Sequence, residues 1–591
     1  MKRSMTMRAS DTSRPQPNAG ETWGRHALIL TVMLTCAVAL SKSHADPDIW
    51  GHFQYGQDAI HHGLPATASY TYTASGHRWI NHEIVSEYLL AAALPALGQA
   101  GLLTVKCLLG LGMLGLMFRA GIRRSVELVP LLLVLLLAAT TLMQFWCLRP
   151  QLMTYLFFAL IIALVDRTLP IGRESAGRCV AWLWLLVPLF AVWANTHGGF
   201  VAGYCVLVVY LIGRSVQLVR HHGRRARGTV MLFGAILLVA GLATLVNPYG
   251  IELHRWLLDS LRSARPEIVE WQPPELTSPA WVGWWTLVAA FVVCTVGTRR
   301  PRDPTQFLLL GLTLWQACMH RRHIPFFVIL FGYWMPIHVQ SVMHRMRRQS
   351  TPAMVKPVPS AWNRWGRVIG LFATSVLILA YLIGQLREIR VPRSGYPVAA
   401  FQYLADHQLD GRMVVQFKWA QYAIAAFGAG RAGMPRLDVA FDGRFRTCYP
   451  QEIVDLYFDF ANGPTKPGAR HRSPYSPPVQ PGRILEYGRP NLVLINRRRQ
   501  HPEMVMLRHQ NDWVLLYQDD LAQLWGRRSV YDDPTSEHYI GASDRCVTNQ
   551  PQSGLARWPA LPRRRHALES GDAVQASPAS LATARTTTRF P

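Results

Sequence analysis

Apolar runs of bilayer length recur along the first two thirds of this chain, and they leave little choice of fold. They lie near residues 26–41, 101–118, 128–146, 151–165, 180–196, 200–213, 229–246, 281–297, 305–319, 324–341 and 367–385, which makes roughly eleven candidate spans. In lipid every backbone polar group must be paired within its own element, so such a chain is expected to be a polytopic α-helical bundle. Half of the 591 residues are hydrophobic, yet the formal net charge is +26. That balance fits a membrane protein whose cations are sorted to one side. It argues against a nucleic-acid reader, because no basic stretch carries a recognition-helix, zinc-finger or RNA-binding motif. The nine cysteines are scattered, with Cys36, Cys107, Cys205, Cys294 and Cys318 inside apolar runs, so no disulfide framework or CxxC metal site is indicated.

Loop charge orients the bundle. With the N-terminus in the cytoplasm, the inside receives Arg119, Arg123, Arg124, Arg167, Arg173, Arg178, the 214–227 cluster, Arg299, Arg300, Arg302 and the 345–367 segment. The outside receives few cations, chiefly Arg78, Arg149, Arg255, Arg262, Arg265, Arg321 and Arg322. The same assignment collects the loops of unusual polar content on the outer face, so an extracytoplasmic active side is expected. Residues 1–24 read as a cytoplasmic disordered N-terminus and 25–388 as the multispanning domain, with a first outer loop at 44–99. Residues 389–530 read as a small extracytoplasmic α/β domain, and 531–591, rich in Ser, Thr, Ala, Arg and Pro, as a disordered tail. In the α/β domain, helices are expected at 397–407, 419–427 and 451–460, and strands at 412–417, 437–441, 491–495, 513–517 and 522–525. Ser43-His44-Ala45 is like a signal-peptidase site, which leaves cleavage of the first run open and Asp46 outside in either case.

The first outer loop opens with Asp46-Pro-Asp-Ile-Trp-Gly-His52. Asp46 reads as a helix N-cap with Pro47 in the first helical position, starting a helix over 47–62 that sets Asp48 and His52 one turn apart. A second helix over 81–97, capped by Asn81, carries Glu83 and Glu87 one turn apart. Asp46 and Asp48 are candidates for proton transfer, although capping and the helix dipole account for them too. Asp46, Asp48, His52 and Glu83 are hard ligands of the kind Mg²⁺ or Mn²⁺ accepts; a divalent metal is compatible with them and not required. Arg149 and Arg322 stand near Pro150 and Pro325, which mark turning helix ends. Asn195 and His197 precede Gly198 and Gly199 and serve either a turn or a ligand. Asn247-Pro-Tyr-Gly250 is first a turn signal, and Glu270 with Trp271 is a polar and stacking pair suited to a sugar. Asp442-Gly-Arg444 is a tight turn whose functional reading is a lid contact.

The series Asp46-Pro-Asp-Ile-Trp-Gly-His52, Asn81-His-Glu83, Leu148-Arg-Pro-Gln151, Trp193-Ala-Asn-Thr-His-Gly-Gly199, Asn247-Pro-Tyr-Gly250, Glu270-Trp-Gln272, Arg322-His-Ile-Pro325 and Phe441-Asp-Gly-Arg444 resembles a group of bacterial multispanning proteins related to GT-C glycosyltransferases. The resemblance spans about residues 26–530. It implies a GT-C-like plan: two juxtamembrane helices in the first outer loop, an acidic catalytic residue there, and a polyprenyl-phosphate sugar donor entering from the bilayer. Where relatives often carry a second Trp, this chain has Gly51. On this plan Asp48 or Asp46 is the base that deprotonates an extracytoplasmic glycan, lipid or protein acceptor. The lipid phosphate leaves with help from Arg149, Arg321, Arg322, His197 or His323, and His52, His82, Glu83, Gln151, Asn195, Asn247, Glu270, Trp271, Asp442 and Arg444 complete the substrate-binding set. The alternatives are a transporter or flippase for a lipid-linked solute, and a non-catalytic membrane protein presenting its C-terminal domain.

Overall fold

The structure, a computed structural model, describes residues 19–169, 180–262, 265–350, 361–428, 431, 433–465 and 470–563. Most of the expected N-terminal segment, and the tail beyond 563, lie outside the described residues. Each apolar run lies in helix, but fewer helices than runs can cross a bilayer on their own. Among the described residues, six helical segments are long and apolar enough to do so, or seven if Arg321–Trp334 and Pro336–Arg348, bent by 63°, form one span. Length explains part of the difference from the eleven expected: Leu128–Leu142 has 15 residues and rises only about 22 Å. Another part is that the 44-residue segment Phe200–Ala243 stands once among the six but holds two helices. The stretch Phe200–Ala243 is a hairpin of helices Phe200–His222 and Arg227–Ala243, in which the Tyr204 hydroxyl donates to the Leu237 carbonyl at 2.8 Å.

The two ends of the bundle differ. At the end carrying the basic loops, cations are neutralised locally: buried Arg214 pairs with Asp303 at 2.6 Å, and half-buried Arg124 reaches both Asp166 and the Tyr333 carbonyl. At the other end the first loop forms helix Ile49–His62 and the opening of Ile84–Arg123, which breaks at Gly98, where φ is 66°. The first helix begins later than the expected residue 47. Asp46 spends its carboxylate on the Asp48 N–H, at 3.1 Å, inside the turn that leads into the helix, and Asp48 takes the N-cap position. The two helices cross at Gly56, where a Cβ would lie 2.2 Å from the Glu87 carbonyl oxygen. That contact brings His52 beside Glu83 and Glu87.

The C-terminal domain carries strands β1 (Arg390–Pro392), β2 (Gly411–Val415), β3 (Leu437–Val439), β4 (Leu492–Asn496), β5 (Trp513–Gln518), β6 (Ala522–Arg527), β7 (Cys546–Val547) and β8 (Leu555–Arg557). Six of them form one sheet in the order β3-β2-β4-β6-β5-β7. β2 runs parallel to β3 and to β4, whereas β6 is antiparallel to β4 and to β5. β1 and β8 pair as a separate ribbon. Ordered structure therefore continues well past residue 530, where a disordered tail was expected. Polar composition concealed two anchors: the Pro559 carbonyl accepts from the Trp50 indole at 2.8 Å, and the Trp558 ring packs edge-on to Phe53. The domain and the first loop share one apolar core, from Trp50, Tyr55 and Trp79 into the sheet. The Thr73 hydroxyl donates to the Ala440 carbonyl at 2.5 Å, and Tyr72 N–H donates to the Val439 carbonyl at 3.3 Å.

Candidate functional site

Two cavities meet where the first loop, the span ends and the C-terminal domain converge. One, of about 740 Å³, is lined by Asp48, His52, Glu83, Glu87 and the ends of β2 and β4. The other, of about 750 Å³, runs among the spans between Val206, Val209, Leu309, Leu312 and Phe326. His82, Arg149, Gln151, Trp256, Arg265, Glu270, Trp271 and Arg322 line both and form the wall between them.

Arg149 is the hub of one side of that wall. Its guanidinium pairs with Asp46 through Nε, with Asp48 Oδ2 at 3.2 Å and with Glu270 Oε1 at 2.7 Å. Three carboxylates hold its charge, so the expected role as an open fork for a lipid phosphate does not fit the geometry. Asp46 is the more confined carboxylate, since Arg149 and the Asp48 N–H share its Oδ1. It lines the apolar cavity, whereas Asp48 faces the polar one with its side chain 29% exposed. Burial pushes the Asp48 carboxyl above its ordinary range against the opposing pull of Arg149. A Cβ on Gly51 would come within 2.6 Å of Gln421, and one on Gly443 within 2.9 Å of Asp48 Oδ1. The glycine at 51 thus admits the domain to the mouth of the site, and a second tryptophan would not fit there.

Deeper in the polar cavity, His52 Nδ1 bonds Glu87 Oε1 at 3.1 Å, and Asn81 donates to Glu87 Oε2 at 2.6 Å. Burial opposes charge on His52, but the Glu87 bond and the carboxylates of Glu83, Glu87 and Asp48 prevail and raise it to about 9. Glu83 lies 3.9 Å from His52, 3.9 Å from His82 and 3.6 Å from His197 Nε2, and burial raises its carboxyl to about 7. His197 Nδ1 accepts from Gly199 N–H at 3.0 Å and bonds Thr154 Oγ1 at 2.9 Å, so in the neutral ring Nε2 carries the proton and presents it to Glu83. Burial lowers His82 to about 4 and holds His197 well below the usual range. The cluster is one charged imidazole, two neutral ones and a carboxyl poised near neutrality.

Across the wall the electrostatics reverse. Arg265 and Arg322 both sit over the Trp271 ring, at 5.0 and 4.5 Å, and neither makes an ion pair among the described residues. Arg265 Nε is buried without a hydrogen-bond partner, and burial with Arg322 and Arg446 nearby lowers its guanidinium to about 10. Burial alone would raise Glu270, but Arg149 and Arg322 hold its carboxyl down, so it stays ionised. Arg265 was missed as a site residue because it belongs to no motif; the only signal was that it is one of few cations expected outside.

Among the other expected residues, Asn195 and Asn247 line neither cavity. Asn195 is a turn residue donating to the Ala191 and Val246 carbonyls, and Asn247 closes its own turn through Tyr249 N–H and the Thr244 and Gly250 carbonyls. His323 lines only the apolar cavity. Asp442 is buried under Arg444 at 2.8 Å and the Tyr449 hydroxyl at 2.6 Å. Arg444 in turn lies over Tyr70 and Trp79 of the first loop and lines the polar cavity, so this turn is the contact that seats the domain. The expected metal set of Asp46, Asp48, His52 and Glu83 is not brought together. Donor atoms within 4.8 Å of one another come instead from His52, Glu83 and Glu87.

No protein-family model matches the chain, and no curated protein sequence matches it. Among solved structures it is similar to the Archaeoglobus fulgidus oligosaccharyltransferase AglB in complex with an inhibitory peptide and a dolichol-phosphate, at 10% identity and a TM-score of 0.48, over 80% of this chain and 69% of that one. It is also similar to ArnT from Cupriavidus metallidurans in the apo state, at 12% identity and a TM-score of 0.48, over 86% and 98% of the two chains. ArnT bound to undecaprenyl phosphate gives 11% identity and a TM-score of 0.47, over 85% and 97%. Likeness at this level assigns neither a substrate nor the role of any residue. Both neighbours are GT-C glycosyltransferases, the superfamily that the motifs of this chain resemble.

Proposed function

We propose that this protein transfers a sugar from a polyprenyl-phosphate-linked donor to an extracytoplasmic acceptor at the outer face of a bacterial inner membrane. One observation carries the reading: an apolar cavity among spans and an acid-lined cavity under the C-terminal domain share a wall, with two guanidinium groups on it that make no ion pair among the described residues. A prenyl chain suits the first space, a sugar and its acceptor suit the second, and the phosphate between them suits Arg265 and Arg322. The paired carboxylates of the polar side would repel that phosphate, which sets its orientation. The sorting of cations between loops supports a cytoplasmic N-terminus and a periplasmic C-terminal domain.

Asp48 accepts the proton from the acceptor hydroxyl, whose oxygen attacks the anomeric carbon as the bond to the lipid phosphate breaks, with inversion. The departing phosphate takes the electron pair, and its charge falls on the two arginines over Trp271. Arg149 is a positioning residue that fixes Asp48 between Asp46 and Glu270. His52, Glu83 and Glu87 are the residues that would hold a divalent cation, in place of the His52–Glu87 hydrogen bond. When bound, such a cation supplies Lewis-acid stabilisation of developing charge.

The test is Asp48→Asn, which keeps shape and hydrogen bonding and removes the base. Transfer from a polyprenyl-phosphate sugar pool should fall by about 10²–10⁴-fold, with polyprenyl-phosphate binding retained. Wild-type turnover in this variant would remove Asp48 as the base. Movement of the lipid-linked sugar across vesicles without any transfer would replace the reading with a flippase.

A further inference from the structure

The transfer reading leaves the domain side of the polar cavity unexplained, and the strand order there says what kind of space it is. After β2 the chain crosses to β3 on one side, then returns to β4 on the other, with β2 parallel to both. Connections leaving neighbouring parallel strands in opposite directions diverge, which leaves a crevice beyond the carboxyl ends of the strands, the usual ligand position in open α/β sheets. The polar cavity is lined at that point by Gln416, just after β2, and Asn496, the last residue of β4, whose amide donates to Gln416 Oε1 at 3.3 Å.

Cations outnumber carboxylates along this crevice, where Glu267 is the acidic lining group that feels the charge of Arg470. Lys418 and Arg499 line it, and neither makes an ion pair among the described residues. Arg470 closes it from the side, with its side chain only 4% exposed. One of its nitrogens pairs with Asp459, and Nη1 is buried with no hydrogen-bond partner among the described residues. A buried guanidinium N–H without an acceptor is unfavourable, and a site built to receive an anion supplies the acceptor only when filled. These groups lie on the C-terminal domain, apart from Arg265 and Arg322 on the wall shared with the apolar cavity.

Resting on the transfer reading for its location, we infer that the crevice between the ends of β2 and β4 is an acceptor subsite that binds an oxyanion, phosphate or carboxylate, carried by the acceptor molecule. Gln416 and Asn496 hydrogen-bond the polar body of the acceptor, while Lys418, Arg499 and Arg470 hold its charge. An uncharged acceptor would leave Lys418 and Arg499 without an ion pair and Arg470 Nη1 without an acceptor among the described residues. Selection is therefore by charge as well as by the presence of a hydroxyl.

The experiment uses full-length protein in lipid nanodiscs with undecaprenyl phosphate at saturation, titrated with glucose 6-phosphate, glucuronate or glucose. At least one of the two anionic sugars should bind, more weakly at higher salt, while glucose does not, and the stronger of the two identifies the anion. Lys418→Ala/Arg499→Ala should weaken that binding by about tenfold or more, and Arg322→Ala should leave it in place. Equal binding of all three sugars, no binding of either anion, or indifference to the double variant overturns the subsite. Anionic-sugar binding in a protein that binds no undecaprenyl phosphate would preserve the subsite and reject the transfer reading.

Discussion

The two faces of the shared wall use the same residue type for opposite ends. On the polar face, Arg149 is surrounded by Asp46, Asp48 and Glu270, and no charge is left over for a ligand. On the other, Arg265 and Arg322 lie over the π-face of Trp271 and make no ion pair among the described residues, although Glu267 and Glu270 lie near enough to feel their charge. A neutralised guanidinium is a rigid part that fixes the carboxylates around it; an aromatic-stacked one is desolvated but still hungry for an anion. Proximity of arginine to a cavity is therefore a poor guide to its role. Its counterions decide.

The largest effect that would test this contrast is on stability. Arg149→Ala strands three partly buried carboxylates and should destabilise the protein by about 3 kcal/mol, seen as a lower apparent Tm and a poorer yield of full-length protein. Arg322→Ala should leave Tm almost unchanged. If the two variants melt alike, the division between structural and ligand-binding arginines is lost.

Arg322→Lys comes next. It preserves charge but not the planar fork or the stacking on Trp271, so donor KM should rise by about tenfold, or roughly 1.4 kcal/mol, with Tm intact. Near-normal donor kinetics would reduce Arg322 to an aromatic contact.

The smallest expected effect is in the pH profile. Glu83 is an acid raised to about 7, so it is protonated below that pH and ionised above it, while His52, raised to about 9, stays charged throughout. If the ionised cluster orders the acceptor, kcat/KM should climb as pH rises through about 7. Glu83→Gln should erase that limb and leave the one belonging to Asp48, whose carboxyl burial raises above its ordinary range. An unchanged limb in Glu83→Gln would assign it to another group.

Several of these groups were legible in the chain because their relations are local. Asp48 and His52 face one way because they are one helical turn apart, and strands such as Leu492–Asn496 and Trp513–Gln518 follow from apolar, β-branched and aromatic runs between turn residues. Asn195 and Asn247 were over-read as ligand contacts. Their carboxamides bond carbonyls of their own or neighbouring turns, which a one-dimensional motif cannot distinguish from a site.

Taken alone, the sequence determined what is set by periodicity and composition: a polytopic helical bundle, an α/β domain after it, and an acidic first loop beside the membrane. Tertiary structure decided which charges meet. Glu270 neutralises Arg149 across 121 positions, Gly51 admits Gln421 across a gap longer still, and the ends of β2 and β4 become one crevice only through their pairing in the sheet. Secondary structure repeats with a short period that a sequence displays directly. An ion pair or a crevice between distant segments depends on how whole elements pack, and no local spacing encodes that.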